Sequence, residues 1–164
     1  MNNIILIGMP GAGKSTIGIA LAKEIGYDLI DTDEVIIDYA KKPLQEIIDS
    51  TSVEEFLDIE RDAILTLKCE NTIVATGGSV IYREEAMEYL KTLGKVIYLR
   101  LPFCVINNRI NNLESRGIAM GPGQTLKTLY DERTPLYEKY CDVRLNCNNK
   151  NVAKIVKMIC EEME

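Results

Sequence analysis

Gly8-Met9-Pro10-Gly11-Ala12-Gly13-Lys14-Ser15, followed by Thr16, is the stretch on which the reading of this chain turns. It matches G-x-x-x-x-G-K-[ST], the pattern of a phosphate-binding loop. Glycines at 8, 11 and 13 permit backbone angles that other residues resist, and they leave their N–H groups bare. Such N–H groups ring a phosphate, with the positive end of the next helix behind them. Lys14 then reaches the β- and γ-phosphates as a point charge, and the Ser15 hydroxyl takes a place on Mg²⁺.

The flanks agree with that assignment. Asn3-Ile4-Ile5-Leu6-Ile7 is a short apolar run of the kind a strand buried on both faces shows. Ile17, Ala20, Leu21, Glu24 and Ile25 follow at helical spacing, and Gly26 is placed to cap that helix. Strand, loop, Lys-Ser and helix in this order make a nucleotide site.

Beyond it, strands are expected at Tyr27–Ile30, Thr72–Ala75, Val96–Leu99 and Val143–Leu145. Helical pattern runs in pieces from Glu34 to about Asp49 with a break at Pro43. It resumes from a capping box at Ser52-Val53-Glu54-Glu55 to about Lys68. Further helices are expected over Glu84–Leu93 (stopped by Gly94), Phe103 to about Leu113, Thr125–Tyr140 apart from Pro135, and Asn151–Glu162. Alternating strands and helices imply a parallel sheet covered on both faces, with ligands at the carboxyl ends of the strands. The loops that follow strands at Gly8, Asp31 and Thr76 should therefore converge.

The composition is that of one domain spanning 1–164: the chain is 46% hydrophobic and 27% charged. A net charge of −6 with no Lys/Arg run argues against a nucleic-acid partner, and no apolar stretch approaches a membrane span. The N-terminus enters a strand directly, so no cleavable signal is expected. The five cysteines form no C-x-x-C pair and their number is odd, which fits reduced thiols in a cytoplasmic protein. There is no histidine. Any general base must then be a carboxylate, and any metal must sit on oxygen ligands and phosphate.

Asp31 and Asp33 stand two apart at a strand end, pointing the same way if the chain stays extended. One acid can hold Mg²⁺ through water while the other faces a substrate hydroxyl. Alternatively, Asp33 caps the helix beginning at Glu34. Gly77-Gly78 serves either a tight turn or a close approach of substrate to backbone N–H groups. Arg116, in a glycine-flanked loop, is either a solvated charge or a residue that folds over the transferring phosphate; Arg133 carries the same ambiguity.

Taken together, these residues resemble the shikimate kinase family, within the nucleoside-monophosphate-kinase group of P-loop folds. The likeness rests on Gly8 to Ser15, Asp31-Thr32-Asp33, Thr76-Gly77-Gly78, Arg116, and Arg133 in Arg-Thr-Pro-Leu-Tyr, and it covers essentially the whole chain. It implies a three-layer α/β/α fold with a five-stranded parallel sheet, a substrate region at about 33–61 and a mobile lid at about 112–124. It further implies transfer of a phosphoryl group from ATP, with Mg²⁺, to the 3-hydroxyl of shikimate; a monomer is expected. Gly11, Ala12, Gly13, Lys14, Ser15, Thr16, Arg109 and Arg116 would hold nucleotide, and Ser15 and Asp31 the metal. Asp33, Arg61, Gly77, Gly78 and Arg133 would hold substrate, with Asp33, Lys14 and Arg116 carrying the chemistry.

The chain departs from the family at several positions. The family usually has an arginine straight after the phenylalanine of the substrate helix; here Phe56 is followed by Leu57. Arg61 lies four residues on and is expected to share that helical face and supply the guanidinium. Ser79 stands where a third glycine is usual, Arg116-Gly117-Ile118 replaces Arg-Pro-Leu in the lid, and Val152 takes a proline's place. Two rivals remain: a same-fold kinase for another hydroxy acid such as a gluconate-like sugar acid, and a nucleotide-binding regulatory module. Against a GTPase, the chain has no N-K-x-D and no D-x-x-G after its second or third strand.

Overall fold

The computed structural model describes residues 2–111 and 122–164. Five strands, β1 (Asn3–Ile7), β2 (Asp28–Asp31), β3 (Thr72–Ala75), β4 (Gly94–Arg100) and β5 (Val143–Asn146), form one all-parallel sheet in the order β2-β3-β1-β4-β5. The helices are α1 (Lys14–Ile25), α2 (Thr32–Ala40), α3 (Leu44–Ser50), α4 (Val53–Ile64), α5 (Glu84–Leu93), α6 (Phe103–Asn111), α7 (Leu126–Tyr140) and α8 (Val152–Glu162). A 3-10 turn spans Val80–Tyr82. The expected α/β architecture is found. The lid expected at about 112–124 lies mostly outside the described residues, and Arg116 with it.

All five residues of β1 are buried, which requires cover on both faces of the sheet. One polar residue in this strand is fully satisfied. The Asn3 side chain donates to the Cys69 and Leu93 carbonyls, both at 2.9 Å, and accepts from the Thr72 N–H at 3.0 Å. It thereby pins β1 to the chain entering β3 and to the end of α5. At the same end Gly94 begins β4 and does more than stop α5: a Cβ there would meet the Asn3 carbonyl oxygen at 2.0 Å.

The main core lies about the sheet. A second cluster of Ile36, Ile47, Phe56, Leu57 and Ala63 ties α2, α3 and α4 together. Full burial of one such aliphatic side chain contributes about 1.5–3 kcal/mol. That holds the small helical layer in place against β2 and the cleft. Pro43 does break the helical pattern between α2 and α3, and Gly26 caps α1 in the left-handed conformation (φ 72°) as expected. Pro135 falls inside α7, which runs through it without ending.

Candidate active site

Chain progression reverses about β1, and the crevice at such a reversal, outside the carboxyl ends of the strands, is where parallel sheets bind ligands. The loops after β1, β2 and β3 do converge there on a cleft of about 270 Å³, suited to a small molecule.

The loop after β1 is a formed cradle. Gly11 (φ 82°) and Gly13 (φ 95°) occupy the left-handed region that side chains disfavour. Lys14 is buried at the start of α1, and its Nζ donates to the carbonyls of Gly8 (2.6 Å) and Met9 (2.8 Å). These bonds curl the lysine back across the loop, so its charge and the first N–H groups of α1 address the same space. Arg109 of α6 donates to the Gly11 carbonyl at 2.9 Å, which sets its guanidinium beside the loop.

The loop after β2 differs from the extended segment expected. α2 begins at Thr32, and its N-cap is Asp31, whose Oδ1 accepts from the Asp33 N–H at 2.9 Å. The capping role weighed for Asp33 thus belongs to Asp31. Asp33 sits in the first helical turn, and its carboxylate benefits from the positive helix end. The second oxygen of Asp31 lies 3.4 Å from Ser15 Oγ, a long hydrogen bond that brings two oxygen donors together across the cleft. That pair suits Mg²⁺, which takes one or two protein ligands and completes its shell with phosphate and water. Among the described residues no cluster of three or more His, Cys, Asp or Glu side chains that could hold a metal occurs.

The loop after β3 forms the far wall. Thr76 extends the β1–β3 pairing through its N–H (3.2 Å) and hydroxyl (2.8 Å) to the Leu6 carbonyl, and the Gly77 N–H donates to Thr32 Oγ1 at 3.1 Å. Gly78 is required by close approach, and Gly77 packs tightly against two carboxylates. A Cβ at Gly77 would meet Glu60 Oε2 at 3.2 Å and Asp33 Oδ1 at 3.5 Å; one at Gly78 would meet Pro10 Cδ at 2.7 Å and Arg133 Nη1 at 2.8 Å. Arg133 is 1% exposed on α7, and its Nε donates to the Tyr82 hydroxyl at 3.2 Å. Tyr137, one helical turn on, donates to the Gly78 carbonyl at 2.6 Å, so α7 holds this loop at two points. Arg133 is therefore no surface residue.

The structure does not bring Arg61 to the cleft. Its guanidinium faces Asp58, Asp62 and Glu85 at 3.1–3.4 Å on the α4–α5 side. Arg61 does lie one turn beyond Leu57, but Leu57 is buried in the α2–α3–α4 cluster. The cleft is lined by the neighbouring row of α4, Phe56 and Glu60. Sequence reasoning missed Glu60, a carboxyl 3% exposed within an otherwise apolar buried stripe of Phe56, Leu57, Ala63 and Ile64. A lone acid in such a stripe is the signal that could have found it. Ser79 Oγ lies 2.9 Å from Glu60 Oε1 and 3.1 Å from Oε2, donating to the carboxyl. Burial pushes Glu60 up to about 8; the Ser79 hydrogen bond opposes the rise, the Asp33 charge adds to it, and Arg133 and Arg83 oppose it.

The family model described as shikimate kinase matches residues 10–164. The chain belongs to the shikimate kinase family. It is 34% identical to the shikimate kinase of Thermodesulfovibrio yellowstonii over 100% of this chain and 96% of that one. Against the shikimate kinase of Nostoc sp. it is 39% identical, over 89% of this chain and 81% of the other. The structure of the Acinetobacter baumannii shikimate kinase in complex with shikimate superposes with a TM-score of 0.89. That match is at 26% identity, over 99% of this chain and 93% of the other. Membership fits a cleft with a phosphate cradle at one end and an acid, two glycines and a buried arginine at the other.

Proposed function

We propose that the chain phosphorylates shikimate at its 3-hydroxyl with ATP as donor, a step in making aromatic amino acids. The observation that carries this reading is the single cleft in which the cradle of Gly11–Thr16 faces Asp33, Gly77-Gly78 and Arg133. The loop N–H groups and Lys14 hold the phosphates and stabilise charge that builds on the transferring group. Ser15 and Asp31 would hold Mg²⁺, whose charge would offset that of the β- and γ-phosphates. Asp33 aligns the acceptor hydroxyl and takes up its proton, at the helix end that stabilises its charge. Arg133 pairs with the acceptor's carboxylate, a geometry that a guanidinium fork matches with two hydrogen bonds. Arg109 lies along the adenine, and Arg116, assigned from sequence alone, closes on the phosphates.

We also read the protein as a monomer of the reducing cytoplasm without nucleic-acid partners. Unpaired cysteines at 69, 104, 141, 147 and 160 support the reducing compartment, and the net charge of −6 the lack of a nucleic-acid partner. Among the described residues no helix is long and apolar enough to cross a membrane.

Leu57, where the family usually has an arginine, favours one second reading, a kinase of the same architecture for a related hydroxy acid. ADP release with Mg-ATP, compared across shikimate, quinate, dehydroshikimate and gluconate, separates the two. Shikimate-dependent turnover is expected; stimulation by another acid with shikimate silent overturns the assignment.

A further inference from the structure

We propose that Tyr137 is a positioning residue for the transfer step: its hydroxyl pins the phosphate loop and the acceptor loop to each other and so sets the distance between donor and acceptor. The inference rests on the reading of the cleft as a site of phosphoryl transfer to shikimate.

The two loops meet where Gly78 backs onto Pro10. A Cβ on Gly78 would come within 2.7 Å of Pro10 Cδ, so the acceptor loop packs directly on the loop that holds phosphate. Tyr137 stands behind that junction. Its hydroxyl donates to the Gly78 carbonyl at 2.6 Å and rests 3.8 Å from the sulfur of Met9, the residue before Pro10. A phenol has one proton, and the short contact takes it; the sulfur packs against the oxygen. The Met9 carbonyl in turn accepts from Lys14 at 2.8 Å. One side chain thus touches both the residue that orients the phosphate lysine and the residue that forms the acceptor wall.

The pin is itself fixed. Tyr137 is fully buried, and its ring stacks on that of Tyr98 in β4, with centroids 5.1 Å apart and 30° between the planes. The sheet therefore carries the ring, and the ring carries the loops. Holding the Gly78 carbonyl also orients the next N–H, that of Ser79, which points the opposite way across a trans peptide. Burial pushes the Tyr137 phenol well above its ordinary value, so the hydroxyl remains a donor throughout the range of an assay.

Phosphoryl transfer gives such a pin leverage. The attacking and leaving oxygens have to lie in line through phosphorus, and a displacement of about 1 Å costs about a hundredfold in rate. Each loop holds its own partner. Loosening the junction leaves both partners bound and degrades their alignment, so the loss falls on kcat.

The test is Tyr137→Phe, which keeps the ring and its stack and removes the hydroxyl, followed by ADP release with Mg-ATP and shikimate and by fluorescent-ATP titration. We expect kcat to fall about 10- to 100-fold, with the shikimate KM and nucleotide Kd within about threefold of wild type. The deficit is the same from pH 6 to 9, because the phenol does not titrate there. Tyr130→Phe is the control: on the same helix, the Tyr130 hydroxyl donates to the Leu101 carbonyl at 2.7 Å and to neither loop. That variant loses an equivalent bond and keeps its kcat. Placing p-aminophenylalanine at position 137 returns a ring-borne donor and most of the rate, and it carries the test if the phenylalanine variant folds poorly. Four results overturn the proposal: a kcat within about twofold of wild type in Tyr137→Phe, an equal loss in Tyr130→Phe, a loss confined to the shikimate KM or nucleotide Kd, or no recovery with p-aminophenylalanine. Wild-type protein that releases no ADP in response to shikimate overturns the functional reading instead.

Discussion

Glu60→Gln should stabilise the fold progressively more as pH rises from about 6 to 8. The carboxyl titrates at 4.5 in an exposed reference and at about 8 in the buried site. The folded protein therefore binds more protons than the unfolded chain between those values. Unfolding free energy falls as pH rises through that window and levels off above it. Each unit is about 1.4 kcal/mol, and the group is half ionised at pH 8, so the wild type loses roughly 2 kcal/mol between pH 6 and 8 through this one group. Glutamine keeps the shape of the side chain and removes the titration. Any loss from its altered hydrogen bond to Ser79 is a constant offset, so the slope against pH is the diagnostic. Denaturant unfolding of both proteins at half-unit intervals from pH 5.5 to 9, without ligand, gives the difference directly, and all other titrations cancel in it. In thermal unfolding the same change is about 4–8 °C for a chain of this size. Parallel stability curves for the two proteins would show that the carboxyl is ionised in the fold, and the account of the acceptor wall would fall with it.

Three other substitutions test separate walls of the cleft. Asp33→Asn should lower kcat by about 10²–10⁴ and leave nucleotide affinity near its wild-type value in a fluorescent-ATP titration; normal turnover would remove Asp33 from the proton transfer. Gly78→Ala drives a methyl to within 2.8 Å of Pro10 and Arg133 and should cost about 1–3 kcal/mol in denaturant unfolding, together with a raised acceptor KM. Unaltered stability would mean that the loop yields. Arg61→Ala should change the acceptor KM by less than about twofold, because its partners are half-exposed carboxylates and such pairs contribute little. A tenfold rise would return Arg61 to the substrate.

The parts of the fold that follow from local pattern were legible in the sequence. The apolar runs placed β1 and β3, the periodicity of Glu84–Leu93 placed α5, and the glycine-lysine loop placed the nucleotide end of the cleft. The misplacements are of another kind. Extended geometry was assumed for Asp31 to Asp33, yet an aspartate that accepts from the N–H two residues on starts a helix at once, and α2 begins at Thr32. Arg61 was assigned by helical spacing from Leu57. The spacing is right, but a helix turns about 100° per residue, and the row that faces the cleft begins one residue earlier, at Phe56. Which row faces a ligand depends on how α4 packs on α2 and α3, a tertiary choice that local periodicity does not contain. Asn3 is the same lesson in the sheet: inside an apolar run it reads as a flaw, and its three hydrogen bonds to segments 66 to 90 residues away are invisible until the strands are ordered.

Leu57, Glu60 and Ser79 are best understood as one unit. On α4, positions 57 and 60 are one turn apart, so a cation at 57 would neighbour the acid at 60. Without that cation, a charge on Glu60 would be buried with Ser79, Arg83 and Arg133 as its support, and a poorly paired buried charge costs several kcal/mol. Taking up a proton at pH 7 costs less, about 1.4 kcal/mol for each of the 2.5 units between 4.5 and 7. The protonated acid still has to keep its oxygens satisfied. Ser79 supplies that, where a glycine in its place offers no side-chain donor. Restoring glycine at 79 alone would strip the acid of its hydrogen bond without returning its cation. Leu57 and Ser79, the two departures on this wall, therefore have to be changed together to recover the family pattern around Glu60.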